Sequence, residues 1–565
     1  MTAFDIDAYL ANAGEAVRQR AACRPGQNAA ALRTYLREMR STALAKDFGF
    51  DRFDTEQPDD VLMEHVRRHL PLTTYADYRP YVERIRRGEA DVLGRGQPKA
   101  LTLSGGSTNA HERKLVPLYS ELLSNQSVAT YAAALYTDSV PPGSSYINLV
   151  KPVNLQSVER TESGVPIAMA SSFTEGAFAF AGAFSERFEG VPHSLKLRLH
   201  ANQRGRWIVQ ALAALGQPDI RYVFAIYPNV IAAFFHRLES DWPLVQQVCR
   251  DGDAAVLAQA GLDDDAVALV DSVLLARMDA DRRRQVLGTR AEDLLSELGN
   301  MWPQLKFAVA VATGGYAQYR PLLRRRFGLD VHTLSYGASE AALGTCLFAP
   351  QPWFVPNPRT YFEFIEQAHA NDVDPPTLLL DQTKTDHAYE VVMTSPQSGF
   401  FRYRIGDLVI LRVGPRDPRL EVVGRTLSRL SVAHEMTQEV HVTAAIARLA
   451  DECSFDIGLA VVGRDLPGMC YAFFFETGSE ALAEKLRAMA PMLDDLLCRE
   501  NDLYAYYRRE AVLRPPKVHS VPAGTYEALL ERKATIISRD INQVKPGIVL
   551  SDDDTAFFLA ATGVR

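Results

Sequence analysis

The sequence lacks the features that mark secreted, membrane-spanning or zinc-binding proteins. Its 565 residues include six cysteines, which lie at positions 23, 249, 346, 453, 470 and 498. No two of them have the C-x-x-C spacing of a zinc site, and their scatter does not indicate a disulfide framework. The acidic start Met1–Asp7 lacks an apolar signal core, and no run approaches the ~20 apolar residues of a membrane span. We therefore expect a protein of the reducing cytoplasm.

Long basic stretches are also missing. The chain has 61 Lys and Arg residues against 69 Asp and Glu residues, a formal net charge of −8. The one basic block, Arg324–Arg326, precedes Phe327-Gly328 and is interpreted as cations at the C-terminal end of a helix. Neither a nucleic-acid nor a membrane partner is expected, and small molecules are expected instead. The chain is too long for one hydrophobic core, so several lobes are expected.

The first motif that carries chemistry is a glycine- and hydroxyl-rich loop between a strand and a helix. Lys99–Leu103 is strand-like, the loop Ser104-Gly105-Gly106-Ser107-Thr108 follows it, and Lys114 comes shortly after. Glycines let backbone N–H groups approach phosphates, and hydroxyls and a lysine add donors. The loop is not a Walker A loop, because no Gly-Lys-Ser/Thr closes it. Taken alone, such a loop is more often a plain turn, so this interpretation depends on the other motifs.

Two later strands end in glycine-containing turns. The apolar run Phe307–Ala312 indicates a buried parallel strand before Thr313-Gly314-Gly315, and ligands of open α/β sheets lie at such strand ends. The next strand runs from Asp330 into Tyr336-Gly337-Ala338-Ser339-Glu340. Glu340 is a candidate Mg²⁺ ligand, since magnesium takes one or two protein carboxylates beside phosphate oxygens, and Tyr336 is a candidate to flank a purine. The alternative is that Glu340 caps a helix starting at Ser339 and that Tyr336 belongs to the core.

The third motif is Tyr403-Arg404-Ile405-Gly406-Asp407, which lies among alternating strand patterns between residues 360 and 411. The alternation predicts antiparallel strands that could form a small barrel. We assign Arg404 and Asp407 to nucleotide binding, with Asp407 accepting both ribose hydroxyls, although an Asp after Gly is also common in plain turns. Together the three motifs provide a phosphate loop, a metal carboxylate and a ribose carboxylate. They predict an enzyme that uses ATP to activate a carboxylic acid as an acyl-adenylate.

The domain organisation follows from a helical pattern at the start of the chain and from a change to short, alternating helices and strands near its end. Helical periodicity extends to about residue 92, with expected breaks at Leu70-Pro71 and Arg79-Pro80. After the Pro-, Asp- and Gly-containing stretch 412–426, the elements are short and alternate between helix and strand. We predict a large ATP- and acyl-binding domain at 1–426 and a small α+β domain at 427–565.

The motifs occur together with three further landmarks, Met301-Trp302-Pro303, Tyr361-Phe362-Glu363-Phe364 and Asn542-Gln543-Val544-Lys545. In this order, and over nearly the whole chain, they resemble the Gretchen Hagen family of auxin-responsive acyl-acid amido synthetases, in a bacterial-type member. The resemblance implies the α/β adenylate-forming, firefly-luciferase-like fold, with parallel sheets and a small β-barrel in the N-terminal domain and a small mobile C-terminal lid. It further implies ATP and Mg²⁺ as cofactors, catalytic roles for Lys114, Glu340 and Lys545, and an amino acid as the amine that accepts the acyl group.

The sequence departs from the family pattern at two of the motifs, and it leaves alternatives open. Gly106 stands where the family has Thr, residues 109–112 lengthen the phosphate loop, and Ala338 replaces a common Ser. An acyl-adenylating ligase that serves coenzyme A or a carrier thiol is the alternative within enzymes. A nucleotide-binding protein with a decayed site is the alternative outside them. We expect a monomer, although no residue pattern determines the oligomeric state or names the acid.

Overall fold

The computed structural model of the chain describes most of its length. It covers residues 26–103, 114–119, 144–152, 158–169, 188–217, 219–346, 349–412, 418–426, 428–433, 435–453, 455, 457–536, 544 and 547–563. The predicted phosphate loop, 104–108, and Lys545 lie outside these ranges. Within them, no helix is both long and apolar enough to span a lipid bilayer.

The described chain opens with the helices α1 (Gln27–Met39), α2 (Ala43–Asp47), α3 (Asp59–His69) and α4 (Tyr75–Arg86). The expected break at Leu70-Pro71 is confirmed, because α3 ends at His69. The expected break at Pro80 is wrong, because α4 continues through it. Proline removes one intrahelical hydrogen bond, and the burial of Tyr78, Val82 and Ile85 on the same helix offsets that loss. The apolar faces of these helices pack into one core with a large antiparallel sheet.

The next elements form two sheets and a helical layer. They are β1 (Ala100–Leu103), β2 (Leu115–Leu118), β3 (Ser145–Asn148), β4 (Glu159–Arg160), β5 (Pro166–Met169), α5 (His193–Arg198), α6 (Gln203–Leu215), β6 (Ile220–Phe224), α7 (Pro228–Asp251), α8 (Asp264–Leu269), α9 (Ala280–Gly288), α10 (Leu298–Met301), β7 (Phe307–Val309), α11 (Tyr319–Phe327) and β8 (Asp330–His332). The order β2-β1-β5-β4 makes one sheet, and β3-β6-β7-β8 makes an all-parallel one. The predicted parallel strand is therefore confirmed as β7. The predicted basic helix end is confirmed too, with Arg324–Arg326 in the last turn of α11 before Gly328.

A seven-stranded antiparallel sheet follows. Its strands are β9 (Ser335–Gly337), β10 (Ala342–Cys346), β11 (Phe354–Pro356), β12 (Tyr361–Glu366), β13 (Ala388–Thr394), β14 (Tyr403–Leu411) and β15 (Leu420–Arg425). They are ordered β12-β13-β14-β15-β11-β10-β9, which brings β9 and β14 into one sheet although they are distant in sequence. In the described residues the edge strands β9 and β12 are not paired with each other, but the sheet is curled, because the hydroxyl of Tyr336 on β9 reaches Asp407 on β14.

The last part of the chain is a compact α+β unit with its own cores. It comprises β16 (Arg429–Leu430), β17 (Thr437–Gln438), α12 (Glu439–Glu452), β18 (Ala460–Asp465), β19 (Cys470–Glu476), α13 (Glu480–Ala488), α14 (Ala490–Glu500), α15 (Asp502–Arg509), β20 (Lys517–Val521), α16 (Thr525–Ile536) and α17 (Asp552–Ala561). The strands β18, β19 and β20 form its sheet, with β19 and β20 parallel. Helices and strands alternate here as the sequence predicts, and the domain boundary at residue 426 stays a prediction.

Candidate active site

Asp407 is held between two donors on the seven-stranded sheet. The hydroxyl of Tyr336 donates to Oδ2 of Asp407 at 3.1 Å, and Nε of Arg425 donates to Oδ1 at 2.9 Å. Arg425 lies directly opposite Asp407 in the ladder between β14 and β15. Gly406 has a φ of 77°, which only a residue without a side chain adopts easily, and it lets the strand turn just before the carboxylate. The charge of Asp407 is the largest cause that raises the pKa of Arg425.

Glu340 lies beside the same strand. It is buried, with 7% of its surface exposed, and the hydroxyl of Tyr403 donates to its Oε1 at 3.2 Å. Tyr403 and Asp407 are both on β14. Because Glu340 accepts from Tyr403, the carboxylates of Glu340 and Asp407 lie on the same side of this strand. Burial, followed by the nearby carboxylates, raises the pKa of Tyr403 and of Tyr336, so that both phenols remain protonated donors. Among the described residues no Lys or Arg forms an ion pair with Glu340, although Arg425 is close enough for the charge of Glu340 to raise its pKa.

The turn between β9 and β10 aims Glu340 at β14. Gly337 pairs with Ala342, and the N–H of Ala338 donates to the carbonyl of Ala341, so this segment is a strand connection. The alternative in which Glu340 caps a helix starting at Ser339 is therefore wrong. The alternative for Tyr336 is partly confirmed, because its ring is buried in the core while its hydroxyl reaches Asp407.

Lys114 reaches the cluster through a third tyrosine. Its Nζ lies 5.5 Å from the ring centroid of Tyr75, a cation–π contact, and the Tyr75 hydroxyl bonds to the backbone of Leu115. Burial is the main cause that raises the pKa of Tyr75, and Glu340 is close enough to add to it. Leu103 pairs with Leu115, so the described ends of the predicted phosphate loop meet next to Lys114.

The Thr313–Gly315 turn follows β7 and lies against the strand end that bears Arg425. A Cβ built on Gly314 would lie 3.6 Å from Cα of Gly424, so a side chain at position 314 would contact the backbone of the strand end. Thr313 is buried at the start of this turn. The structure therefore brings Lys114, Glu340 and Asp407 around one set of tyrosines, Tyr75, Tyr336 and Tyr403, and the Gly314 turn lies near Gly424, next to Arg425.

Arg404 does not join this cluster. It alternates with Tyr403 on β14 and points to the other face, where its guanidinium donates to Glu390 at 2.7 and 3.0 Å. Its predicted contact with the nucleotide stays a prediction. Ser104–Thr108 and Lys545 lie outside the described residues, although Val544 is buried and Ile548 lies close to Gly315.

Two charged residues of the site are absent from the sequence prediction. Arg425 belongs to a stretch that is interpreted from the sequence as a domain boundary. The Gly-Arg-Thr sequence at the strand end is the only signal for Arg425, and it indicates a site residue only once the ladder places Arg425 opposite Asp407 on β14. Glu439, the first residue of α12, is buried with 8% of its surface exposed and faces Gly315. An acidic residue at a helix start is explained by its favourable interaction with the helix dipole, so no pattern in the sequence indicates that Glu439 belongs to the site.

Comparisons with known proteins identify the family of the chain. The sequence matches the profiles of the GH3 family N-terminal domain over residues 23–331, the central domain over 354–425 and the C-terminal domain over 441–554. It is similar to indole-3-acetic acid-amido synthetase GH3.4 of Arabidopsis thaliana, at 24% identity over 87% of this chain and 85% of that one. It is also similar to 4-substituted benzoates-glutamate ligase GH3.12 of the same plant, at 24% identity over 87% of each chain.

Among solved structures, the GH3.15 acyl acid amido synthetase superposes with a TM-score of 0.78 at 20% identity, over 99% of this chain and 97% of that one. A likeness of this extent shows the same fold and confirms the predicted adenylate-forming class, with parallel sheets and a separate C-terminal unit. The first family profile alone spans more than half of the sequence, and the three occur in order along it. The chain therefore belongs to the GH3 family.

Proposed function

We propose that this protein is an ATP-dependent acyl-acid amido synthetase, which activates a carboxylic acid as an acyl-adenylate and transfers the acyl group to an amino acid. The convergence of Lys114, Glu340 and Asp407 on one tyrosine cluster carries the proposal. Family membership supports the amide product, because curated relatives are named amido synthetases or, in one case, a glutamate ligase. The names give less support to transfer onto coenzyme A or a carrier thiol.

In the first half-reaction, a carboxylate oxygen of the acid attacks the α-phosphorus of ATP, and pyrophosphate leaves. Negative charge grows on the departing oxygens, so fixed donors near them lower the barrier. Lys114 and the loop Ser104–Thr108 are the donors we assign to this task. Removal of one preorganised donor typically costs about 3–4 kcal/mol of barrier. Asp407 retains free lone pairs for the ribose hydroxyls after accepting from Tyr336 and Arg425.

The residues present also fit a divalent cation. Glu340 is a buried carboxylate with a neutral donor and, in the described part of the chain, no ion pair, so a cation that arrives with the nucleotide would compensate its charge. Mg²⁺ prefers one or two carboxylates together with phosphate oxygens. When bound, the ion supplies positive charge to the phosphate oxygens. Glu340 is the residue we assign to hold it.

In the second half-reaction, the amine nitrogen attacks the acyl carbonyl carbon, AMP leaves, and the nitrogen loses a proton. We propose that residues 427–565 act as a separate domain that moves between the two half-reactions and that Lys545 serves one of them. The described cysteines, at 249, 346, 453, 470 and 498, form no disulfide with one another, and we propose a cytoplasmic location on that basis. All the assigned residues come from one chain, so the proposal requires no second subunit.

The decisive test is ATP–pyrophosphate exchange with purified protein and a panel of aromatic and aliphatic acids. We expect exchange that depends on the acid, together with acyl-AMP detected by mass spectrometry. A folded protein that gives no acid-dependent exchange refutes adenylation and leaves the decayed nucleotide-binding protein. Product mass spectrometry with amino acids, coenzyme A and a carrier thiol as acceptors then separates amide from thioester formation.

A further inference from the structure

The carboxylate of Glu439 is buried between the C-terminal α+β unit and the Thr313–Gly315 turn. It is the first residue of α12, and a Cβ built on Gly315 would lie 2.3 Å from its Oε1. No side chain fits at position 315 while the carboxylate is there, so the two residues are in direct contact. Burial raises the pKa of Glu439 and is the largest cause, while hydrogen bonds from Ser428 and from the Gly315 backbone act in the opposite direction.

Three backbone segments meet at this contact with almost no side chain between them. A Cβ built on Gly314 would lie 3.6 Å from Cα of Gly424, and a Cβ built on Gly424 would lie 3.6 Å from the backbone nitrogen of Val440. The N–H of Glu439 donates to the carbonyl of Ser428 at 2.9 Å, which fixes the start of α12. The turn after β7, the end of β15 and the start of α12 therefore form one close junction beside Arg425 and Asp407. The charges of those two residues act on Glu439 in opposite directions.

The same junction receives a second segment of the C-terminal unit. Cγ2 of Ile548 lies 3.7 Å from the Cβ position of Gly315. The backbone of Ile548 and Leu550 pairs with Val462 of β18 at 2.8 Å in both hydrogen bonds. Residues 547–550 are thus fixed to the sheet of the C-terminal unit and rest on the turn that Glu439 contacts. Loss of the Glu439 contact would free both segments together.

We propose that Glu439 is a positioning residue that holds the C-terminal unit against the Thr313–Gly315 turn, in the arrangement that serves acid activation. This inference rests on the proposed function. The 547–550 segment and α12 both lie against the Thr313–Gly315 turn, which the sequence assigns to the nucleotide, so we assign the observed arrangement to the ATP-dependent half-reaction. Weakening the contact is therefore expected to slow formation of the acyl-adenylate more than its reaction with an amino acid.

The experiment compares Glu439→Ala, Glu439→Gln and Gly315→Ala in the full chain, with Glu452→Gln as the matched control at the exposed end of the same helix. Loss of one hydrogen bond to a charged group, about 1.5–3 kcal/mol, predicts a ~10- to 100-fold lower kcat for ATP–pyrophosphate exchange in Glu439→Ala. Conversion of supplied acyl-AMP and amino acid to amide is expected to stay within about threefold of wild type, on the factor-of-ten rule for 1.4 kcal/mol. Glu439→Gln keeps a hydrogen-bond acceptor, so its kcat for ATP–pyrophosphate exchange is expected to lie between those of Glu439→Ala and wild type.

A double variant tests the contact itself. Glu439→Ala removes the oxygen that a methyl group at position 315 would meet, so Glu439→Ala combined with Gly315→Ala is expected to be no slower than Glu439→Ala alone. Additive losses, equal losses in both half-reactions, or no loss would each overturn the proposal. Hydrogen exchange at residues 313–316 gives an activity-independent readout, with faster exchange expected in Glu439→Ala and unchanged exchange refuting the contact. Failure of wild type to exchange pyrophosphate with any acid would instead refute the proposed function.

Discussion

Removal of the Asp407 carboxylate is expected to weaken ATP binding far more than acid binding. A carboxylate offers about four acceptor positions. In this structure Tyr336 and Arg425 occupy one position on each oxygen, at 3.1 and 2.9 Å. Two positions are left, which matches the two hydroxyls of a ribose. The perturbations are Asp407→Ala, which removes all of these acceptors, and Asp407→Asn, which keeps one oxygen.

The magnitude follows from the two free positions. A hydrogen bond to a charged group contributes about 1.5–3 kcal/mol, so loss of two at the lower end is about 3 kcal/mol. At 1.4 kcal/mol per factor of ten, Asp407→Ala should raise KM for ATP by ~10²-fold and Asp407→Asn by ~10-fold. The variant also leaves the buried Tyr336 hydroxyl without its acceptor, which costs about 1–3 kcal/mol of stability. Tyr336→Phe in the Asp407→Ala background removes that unpaired group and should recover stability without recovering KM.

The assay is ATP–pyrophosphate exchange with ATP varied at saturating acid and with acid varied at saturating ATP. Asp386→Asn is the matched control, because Asp386 also pairs with an arginine, Arg412, at 3.3 Å but on an exposed part of the same sheet. An exposed pair of this kind contributes about 0–1 kcal/mol, so the control should leave both KM values unchanged. If KM for ATP stays at the wild-type value in folded Asp407→Ala, the assignment of Asp407 to the ribose is wrong.

Three further predictions concern charge in the two domains. Glu363→Ala should lower the free energy of unfolding by about 3–5 kcal/mol in urea titrations, because it strands Arg402, whose guanidinium bonds to Glu363 at 2.9 Å in the core. Glu340→Gln should reduce the rate of ATP–pyrophosphate exchange by ~10²-fold or more, as loss of one electrostatic group in an active site typically does. If the exchange rate of this variant depends on added Mg²⁺ as that of wild type does, the metal assignment is wrong. Burial raises the pKa of Glu476, so the folded protein binds this proton more tightly, and stability should fall as pH rises from about 4.3 through the raised pKa. Glu476→Gln, which still accepts from Tyr526, should remove that part of the pH dependence of Tm, and an unchanged profile would count against it.

Local rules in the sequence predict the elements well where the chain follows them. The end of α11 is an example, since three arginines and a glycine are enough to locate it. Pro80 is the opposite case, because tertiary burial of α4 overrides the local penalty that predicts a break. The seven-stranded sheet shows a further limit, because alternation predicts its strands but not their order.

The site itself depends on register, which the sequence does not reveal. Tyr336 and Asp407 are both predicted site residues, yet their hydrogen bond across 71 positions requires the complete strand order of the sheet. Arg425 meets Asp407 only because a bulge between Leu408 and Val409 sets the ladder at that end. The position of Arg404, in contrast, could have been predicted from the sequence. Side chains of a strand alternate, so a residue next to Tyr403 faces away from the cluster that Tyr403 and Asp407 share.

The two carboxylates of the site differ in charge compensation, and this difference assigns their roles. Asp407 already has the cation Arg425 beside it, so it can accept neutral hydroxyls without a further positive charge. Glu340 is more deeply buried and has the neutral phenol of Tyr403 as its donor, with no ion pair in the described ranges. A buried carboxylate without a partner is costly, and a cation that enters with the triphosphate would remove that cost. Arg425 forms its direct ion pair with Asp407 and acts on Glu340 only at longer range, so we propose that the metal binds at Glu340 and the ribose at Asp407.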